Sequence, residues 1–216
     1  MPLDKKTIVD ALKEAKAKSG GKKFNQTVDL ILNIKEIDMK APEGKIQEIV
    51  ELPHATEKLN KICVVASGEL ALKARKANAD KVVERADLDA MAGKKKDLRK
   101  LAEEYDVFIA EAPLMALVGK TLGPVLGPRG KMPIPVPPSA DIAPLLTKHR
   151  KTVIVRMRNQ PIIQVSVGSE NMSEEQLYDN IQAILKVLEV KLKRGFKNID
   201  TVFIKTSMGE PVKIKP

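Results

Sequence analysis

Two short segments near opposite ends of the chain carry the residue types best suited to meeting a polyanion. Lys22-Lys23-Phe24-Asn25-Gln26-Thr27 sets an aromatic ring among cations and amide donors, the mix that stacks on nucleobases, faces phosphates and hydrogen-bonds sugar hydroxyls. With only four Phe, two Tyr and no Trp in 216 residues, Phe24 is conspicuous, although a ring here could equally plug a domain edge. Lys205-Thr206-Ser207-Met208-Gly209-Glu210-Pro211 is small, polar and interrupted by glycine. Its hydroxyls and open backbone could approach an RNA strand closely, or the stretch could be an ordinary turn.

The candidates for catalysis fit less well. Ser67-Gly68-Glu69-Leu70-Ala71 has one glycine where a dinucleotide site needs three at fixed spacing. Gly130-Lys131 resembles the end of a phosphate loop, but Val125 stands five positions before Gly130, Met132 replaces the metal-binding hydroxyl, and Pro128 removes a cradling amide. His54 sits beside a proline turn, and His149 ends a helix next to Arg150 and Lys151, where a capping cation is the simpler role. Cys63 lies in the apolar run Ile62–Ala66 and reads as a core residue. One cysteine and two distant histidines make a tetrahedral zinc site untenable, and no cofactor is expected. The paired acids Glu103-Glu104 and Glu174-Glu175 fall in helical contexts as solvated faces. A nucleotide-binding enzyme with a Rossmann-like domain, or a protein-binding scaffold with incidental charge, remain the rival classes.

Charge supports a polyanionic partner without a basic tail. Lys and Arg total 38 against 28 acids, a formal net charge of +10. The excess is spread: residues 1–62 hold 12 basic and 10 acidic groups, 63–154 hold 16 and 11, and 155–216 hold 10 and 7. A folded surface that places a few cations fits this better than a loose arm. The first residues lack the apolar stretch of a signal peptide and no run approaches a membrane span, so a cytoplasmic protein with no membrane partner is expected.

The elements that must position these residues follow from periodicity. Thr7, Ile8, Ala11, Leu12 and Ala15 mark an amphipathic helix over 4–18 that stops at Gly20-Gly21. Strands are expected over 27–34 and 45–52, joined by the turn Ala41-Pro42-Glu43-Gly44. After Pro53-His54 strands alternate with helices: strand 62–66, helix 69–78, strand 81–84, a helix over 88–105 interrupted at Gly93, and a buried strand 107–110. That alternation predicts a parallel sheet of βαβ crossovers. Leu122 to Pro133, running on to Pro135, Pro137 and Pro138, predicts a loop of fixed shape. A helix over 140–149 precedes two alternating runs, 151–157 and 162–167, which predict a hairpin around Arg158-Asn159-Gln160-Pro161. Ser173 with Gln176 makes a capping box for a long helix ending at Gly195, and strand 200–205 follows. Because both ends share one texture and the middle another, the fold class is α/β with an insertion: 1–62 plus 153–216 as one discontinuous domain and 63–152 as the other. Two chain crossings would make a natural hinge.

Four pieces in order, Lys23-Phe24-Asn25-Gln26-Thr27-Val28, Leu52-Pro53-His54, Leu122 through Met132-Pro133, and Thr206-Ser207-Met208-Gly209, resemble the large-subunit ribosomal protein L-one family, the protein of the mobile stalk beside the tRNA exit site, in its archaeal and eukaryotic branch. The resemblance spans nearly the whole chain. It implies a split α/β domain with an inserted Rossmann-like domain, and a main site for large-subunit rRNA on the split domain. There Phe24, Gln26 and Thr27 would lie beside Thr206, Ser207, Met208 and Gly209, with Lys23 and Lys205 facing phosphates and Arg156, Arg158 and Asn159 as neighbours. Where bacterial members have proline directly after Met-Gly, this chain has Glu210 and then Pro211, which touches the contacts beyond Gly209. The family likeness further implies a ribosome-associated protein, monomeric when free. It also implies repression of translation through a leader region of its own messenger RNA, and contact with exit-site tRNA. The inserted domain, through Arg129 and Lys131, would touch tRNA or a second rRNA segment, or those two residues would merely brace their loop.

Overall fold

The computed structural model describes residues 4–20, 23–38, 46–91, 93–157 and 160–214. The chain divides into two compact units, Met1–Lys58 with Lys151–Pro216, and Leu59–Arg150. In chain order the first unit contributes α1 (Lys5–Ala17), β1 (Thr27–Ile34) and β2 (Gln47–Glu51). The second unit holds β3 (Ile62–Val65), α2 (Gly68–Lys76), β4 (Lys81–Val83), α3 (Arg85–Met91), α4 (Lys95–Glu104) and β5 (Val107–Glu111), then α5 (Met115–Thr121), α6 (Gly123–Arg129), β6 (Ile134–Val136) and α7 (Ile142–Arg150). The first unit resumes with β7 (Thr152–Arg156), β8 (Ile162–Ser169), α8 (Glu174–Lys191), β9 (Ile199–Thr206) and β10 (Val212–Ile214). The α/β class stands as expected.

In the first unit an antiparallel sheet runs β10-β9-β1-β8. The period of two in β1 turns Val28, Leu30, Leu32 and Ile34 inward, where they join Ile8 and Leu12 of α1 and Ile181, Ile184 and Leu188 of α8 in one core. The capping box at α8 forms as expected, with Ser173 Oγ accepting from the Gln176 N–H at 3.3 Å and the Gln176 side chain accepting from the Ser173 N–H at 3.2 Å. The expected hairpin of 151–157 with 162–167 does not form. β7 pairs with β2 in a separate two-stranded sheet, while β8 pairs with β1. Alternation marks a half-buried strand but not its partner, and the intervening segment sends the two runs to different sheets. Its Arg158 and Asn159, like Lys22, Gly21 and the turn at 41–44, lie outside the described residues.

The second unit is a parallel sheet in the order β4-β3-β5-β6. Alternate residues of β3 and β5 feed opposite layers. Cys63, Val65, Phe108 and Ala110 meet α3 to α6, and Ile62, Val64, Val107 and Ile109 meet α2 and α7. The interruption at Gly93 is real: its φ of 83° separates α3 from α4.

The segment 122–133, expected as a loop, is largely helix. Pro124 occupies the first turn of α6, where its missing N–H has no intrahelical partner to lose. Pro128 lies one residue before the helix ends. Leu122 and Leu126, both fully buried, anchor the segment, and Gly130 closes it in the left-handed conformation (φ 71°), with the Lys131 N–H donating to the Leu126 carbonyl at 3.1 Å. Beyond it Pro135 sits in β6, an edge strand, which tolerates a residue without a donor. Among the described residues no helix is long and apolar enough to cross a membrane.

Candidate nucleic-acid interface

The register of the antiparallel sheet brings the two terminal segments together. β1 begins at Thr27 and β9 ends at Thr206, and Val28 lies opposite Thr206 while Asp29 lies opposite Lys205. Residues entering β1 and residues leaving β9 therefore share one end of the sheet. Thr27 Oγ1 and Ser207 Oγ are hydrogen-bonded at 2.8 Å on the surface, and the Ser207 N–H donates to the Thr27 carbonyl at 3.1 Å. Phe24 is 54% exposed and Met208 65% exposed. Lys23 is exposed and Lys205 half-buried.

Beneath these groups lies a polar layer in which Gln26 makes its bonds, whereas the buried hydroxyls of Thr206 and Ser169 have no hydrogen-bond partner among the described residues. Gln26, almost fully buried, accepts the Met208 N–H through Oε1 at 2.9 Å and donates through Nε2 to the Ser19 carbonyl at 3.1 Å. Its own carbonyl accepts the Glu170 N–H at 2.8 Å, and Ser19 Oγ donates to the Glu170 carboxylate at 2.6 Å. A buried amide with its bonds made holds its neighbours in one geometry, so Gln26 fixes the backbone that presents Met208. Gly209 is needed for space: a Cβ there would meet Thr206 Oγ1 at 2.3 Å, the Lys18 carbonyl at 3.2 Å and Ser19 Cα at 3.4 Å. Gln26, Thr206 and Gly209 thus lie below the surface, and Phe24, Thr27, Ser207 and Met208 upon it.

The remaining expected neighbour lies elsewhere. β8 is antiparallel to β1, with Thr27 opposite Ser169 and Asn33 opposite Ile162. Arg156, exposed at the end of β7, precedes β8 at its Ile162 end. Six residues of strand, about 20 Å at ~3.3 Å per residue, separate that end of the sheet from the Thr27–Ser207 pair.

Several supports carried no signal in the sequence. Ser19 and Lys18, just past α1, form the wall behind Gly209. Asn25 donates to Glu57. Asn180, fully buried in α8, accepts the His54 N–H at 2.9 Å and donates to the carbonyls of His54 at 3.0 Å and Val167 at 2.8 Å, which ties the Leu52-Pro53-His54 segment to the core. Glu57, Glu170 and Glu210 place acids around this end of the sheet, so cations do not dominate it. Burial pushes the Asp29 carboxyl above its ordinary range, with Lys205 opposing the shift.

The catalytic candidates find structural roles. At the C-terminal end of the parallel sheet, where such folds place phosphates, the buried Glu111 carboxylate accepts the Ser67 N–H at 2.8 Å and the Ser67 hydroxyl at 2.7 Å. A negative charge already takes the donors an anion would need. Burial pushes the Cys63 thiol up to about 12, which keeps it protonated and unreactive. The His54 ring meets Asp179 at 3.2 Å and is half exposed to solvent. Among the described residues no group of three or more His, Cys, Asp or Glu could hold a metal ion. Lys131 is a brace, donating to the carbonyls of Ala102 and Tyr105 at 3.1 and 2.7 Å, and Arg129 is held by Glu103 at 2.8 Å.

The sequence model of the ribosomal protein L1p/L10e family matches residues 12–210. Large ribosomal subunit protein uL1 of Pyrococcus abyssi is 44% identical over 216 residues, covering 100% of this chain and 98% of its own length. The protein of the same name from Methanothermobacter thermautotrophicus is 44% identical over 207 residues, 96% of this chain and 98% of its own. That of Methanocaldococcus jannaschii is 41% identical over 213 residues, 99% and 97% of the two chains. With a matched family model over most of its length and full-length similarity to these archaeal proteins, the chain belongs to the ribosomal protein L1p/L10e family, in its archaeal-type branch.

Proposed function

We propose that the chain is a structural constituent of the large ribosomal subunit, without catalytic activity, and that the Phe24–Met208 end of its antiparallel sheet binds large-subunit rRNA at the mobile stalk near the tRNA exit site. The observation that carries this is the pairing of two exposed apolar side chains, Phe24 and Met208, with a surface hydroxyl pair, Thr27 and Ser207, over a buried Gln26 that locks the backbone between them. RNA recognition by shape uses such groups: apolar faces for bases, hydroxyls for ribose and phosphate, and a backbone that does not yield. Lys23 and Lys205 add charge at the margin. The family and the names of its relatives support the large ribosomal subunit as the setting, and thus its rRNA as the partner. Ribosome association would place the protein in the cytoplasm.

Two finer roles extend this reading. Residues able to hold the stalk rRNA would hold an imitation of it in the leader of the protein's own messenger, and mass action would fill the tighter rRNA site first. Assistance of tRNA release would come from Arg156, on the separate two-stranded sheet, together with Arg158 and Asn159, and from the second unit. The test is equilibrium binding of the full chain to the stalk fragment of large-subunit rRNA against an unrelated hairpin of equal length, across salt. A preference that persists at high salt supports the reading. Equal binding with a steep salt slope reduces it to a basic surface.

A further inference from the structure

The second unit contains a cleft of about 460 Å³ between α4 and the α5–α6 pair. Four cations line it, Lys95, Arg99, Lys120 and Arg129, against a floor that includes Leu98, Pro124 and Pro128. No carboxylate lines the cleft. Arg129 is fixed by Glu103, whereas Lys95, Arg99 and Lys120 are exposed and make no ion pair among the described residues. The surrounding sequence raises the field further: Lys94, Lys96 and Lys100 flank the lining residues on α4, with Asp97 the single acid in that run. The unit as a whole holds 16 Lys and Arg against 11 Asp and Glu. Glu103 pairs with Arg129 and also acts on Arg99, which leaves Lys95 and Lys120 the least compensated, and like charges gathered on one wall raise the local concentration of anions.

We infer that this cleft is a second RNA site, which takes a stretch of single-stranded sugar–phosphate backbone, with Lys95, Arg99 and Lys120 on phosphates and the proline faces against ribose or base. Lys95 and Arg99 stand one turn apart on α4, about 6 Å along its axis at ~1.5 Å per residue, a repeat on the scale of one nucleotide. The floor argues against a peptide. A bound peptide brings N–H and C=O groups that must be satisfied, and Pro124 and Pro128 have no N–H to offer while Leu98 and Val125 present apolar atoms. An RNA strand brings no backbone N–H, and its phosphates are met by the side-chain cations. The inference rests on the RNA-binding reading above but concerns different residues from it, and it shifts the second unit's contacts from Arg129 and Lys131, which are braces, to three lysine and arginine side chains free to turn outward.

The test uses the full, isotope-labelled chain titrated with a dodecamer of oligouridylate and followed amide by amide. The expected result is saturable movement of the Gly93, Lys95 and Thr121 signals, with the apparent Kd at those amides at least tenfold weaker in Lys95→Gln/Arg99→Gln/Lys120→Gln. Any Phe24 and Met208 shifts should be unchanged, as should signals from β3 and β5, which report folding. Cleft signals that stay still in the wild type, or shifts that survive the triple neutralisation, overturn the site. A decamer of glutamate that moves the cleft at equal or lower concentration overturns it in favour of an acidic protein partner. A parallel titration with the stalk rRNA fragment separates the two readings. No movement at Phe24 and Met208 there, with the cleft still saturating on oligouridylate, sinks the main rRNA site alone.

Discussion

At one end of the antiparallel sheet Thr27 and Ser207 share a hydrogen bond at the surface and Phe24 and Met208 stand exposed in the flanking segments, whereas at the C-terminal end of the parallel sheet Glu111 turns inward and takes both donors of Ser67. The first end anchors its backbone from below through the buried Gln26 amide and leaves Phe24 and Met208 exposed. The second turns its Ser67 donors to its own carboxylate. Fold alone would have favoured the parallel sheet as the binding site, since crevices at strand C-termini are where such sheets hold nucleotides. Which polar groups remain available, not which topology surrounds them, decides where a partner can bind.

The largest effect that could break this contrast is at Gly209. Gly209→Val would drive a branched side chain into Thr206, the Lys18 carbonyl and Ser19, and should cost about 3 kcal/mol, the upper end of overpacking, together with RNA binding; denaturant unfolding and binding measured on the same sample check it. Met208→Ala should weaken preference for the cognate RNA by roughly 1–3 kcal/mol and leave the denaturation midpoint alone, because its side chain is mostly exposed. Phe24→Ala should behave likewise, and unfolding of either variant would show that the side chain serves the core instead. At the other sheet Glu111→Ala removes both bonds to Ser67, which is itself exposed to water, and should cost about 0.5–1.5 kcal/mol of stability with no change in RNA binding. Titration of the labelled wild type with ATP should leave the Ser67 and Gly68 amide signals unmoved, and a tight complex at those amides would collapse the comparison.

The smallest expected effect is at Asp29. Its folded carboxyl is held above its ordinary value chiefly by burial, so the folded state binds that proton more tightly than the unfolded chain does. Stability is then lost as pH rises from the ordinary carboxylate range through the raised value, and is not regained at neutral pH. Asp29→Asn should therefore raise Tm slightly at pH 7 and bring no gain near pH 3; a lower Tm at pH 7 would mean that attraction to Lys205 outweighs burial.

Local chemistry was legible where neighbours in sequence are the cause. The Ser173–Gln176 capping box, the break at Gly93 and the strand over 27–34 each depend on residues close in sequence, and each is present in the structure. The proline-rich segment misled for a related reason. Prolines break helices in their interior, but Pro124 and Pro128 sit at the two ends of a seven-residue helix whose buried leucines hold it in place, and burial of Leu122 and Leu126 is not a local property. The hairpin failed because alternation says which face of a strand is buried and not which strand lies beside it.

For the candidate interface the sequence by itself determined the residue types: an aromatic, hydroxyls, a thioether, a glycine and a modest positive balance in two segments 180 residues apart, the separation of Thr27 from Ser207. Only the tertiary structure decided that Thr206 lies opposite Val28, that Gln26 is a buried clamp while Met208 is presented, that Arg156 belongs to a separate two-stranded sheet, and that Lys18 and Ser19 close the wall behind Gly209. The physical reason is that hydrogen-bond satisfaction and exposure belong to groups brought together by strand register, and register is fixed by the burial of a whole sheet face rather than by any residue on its own.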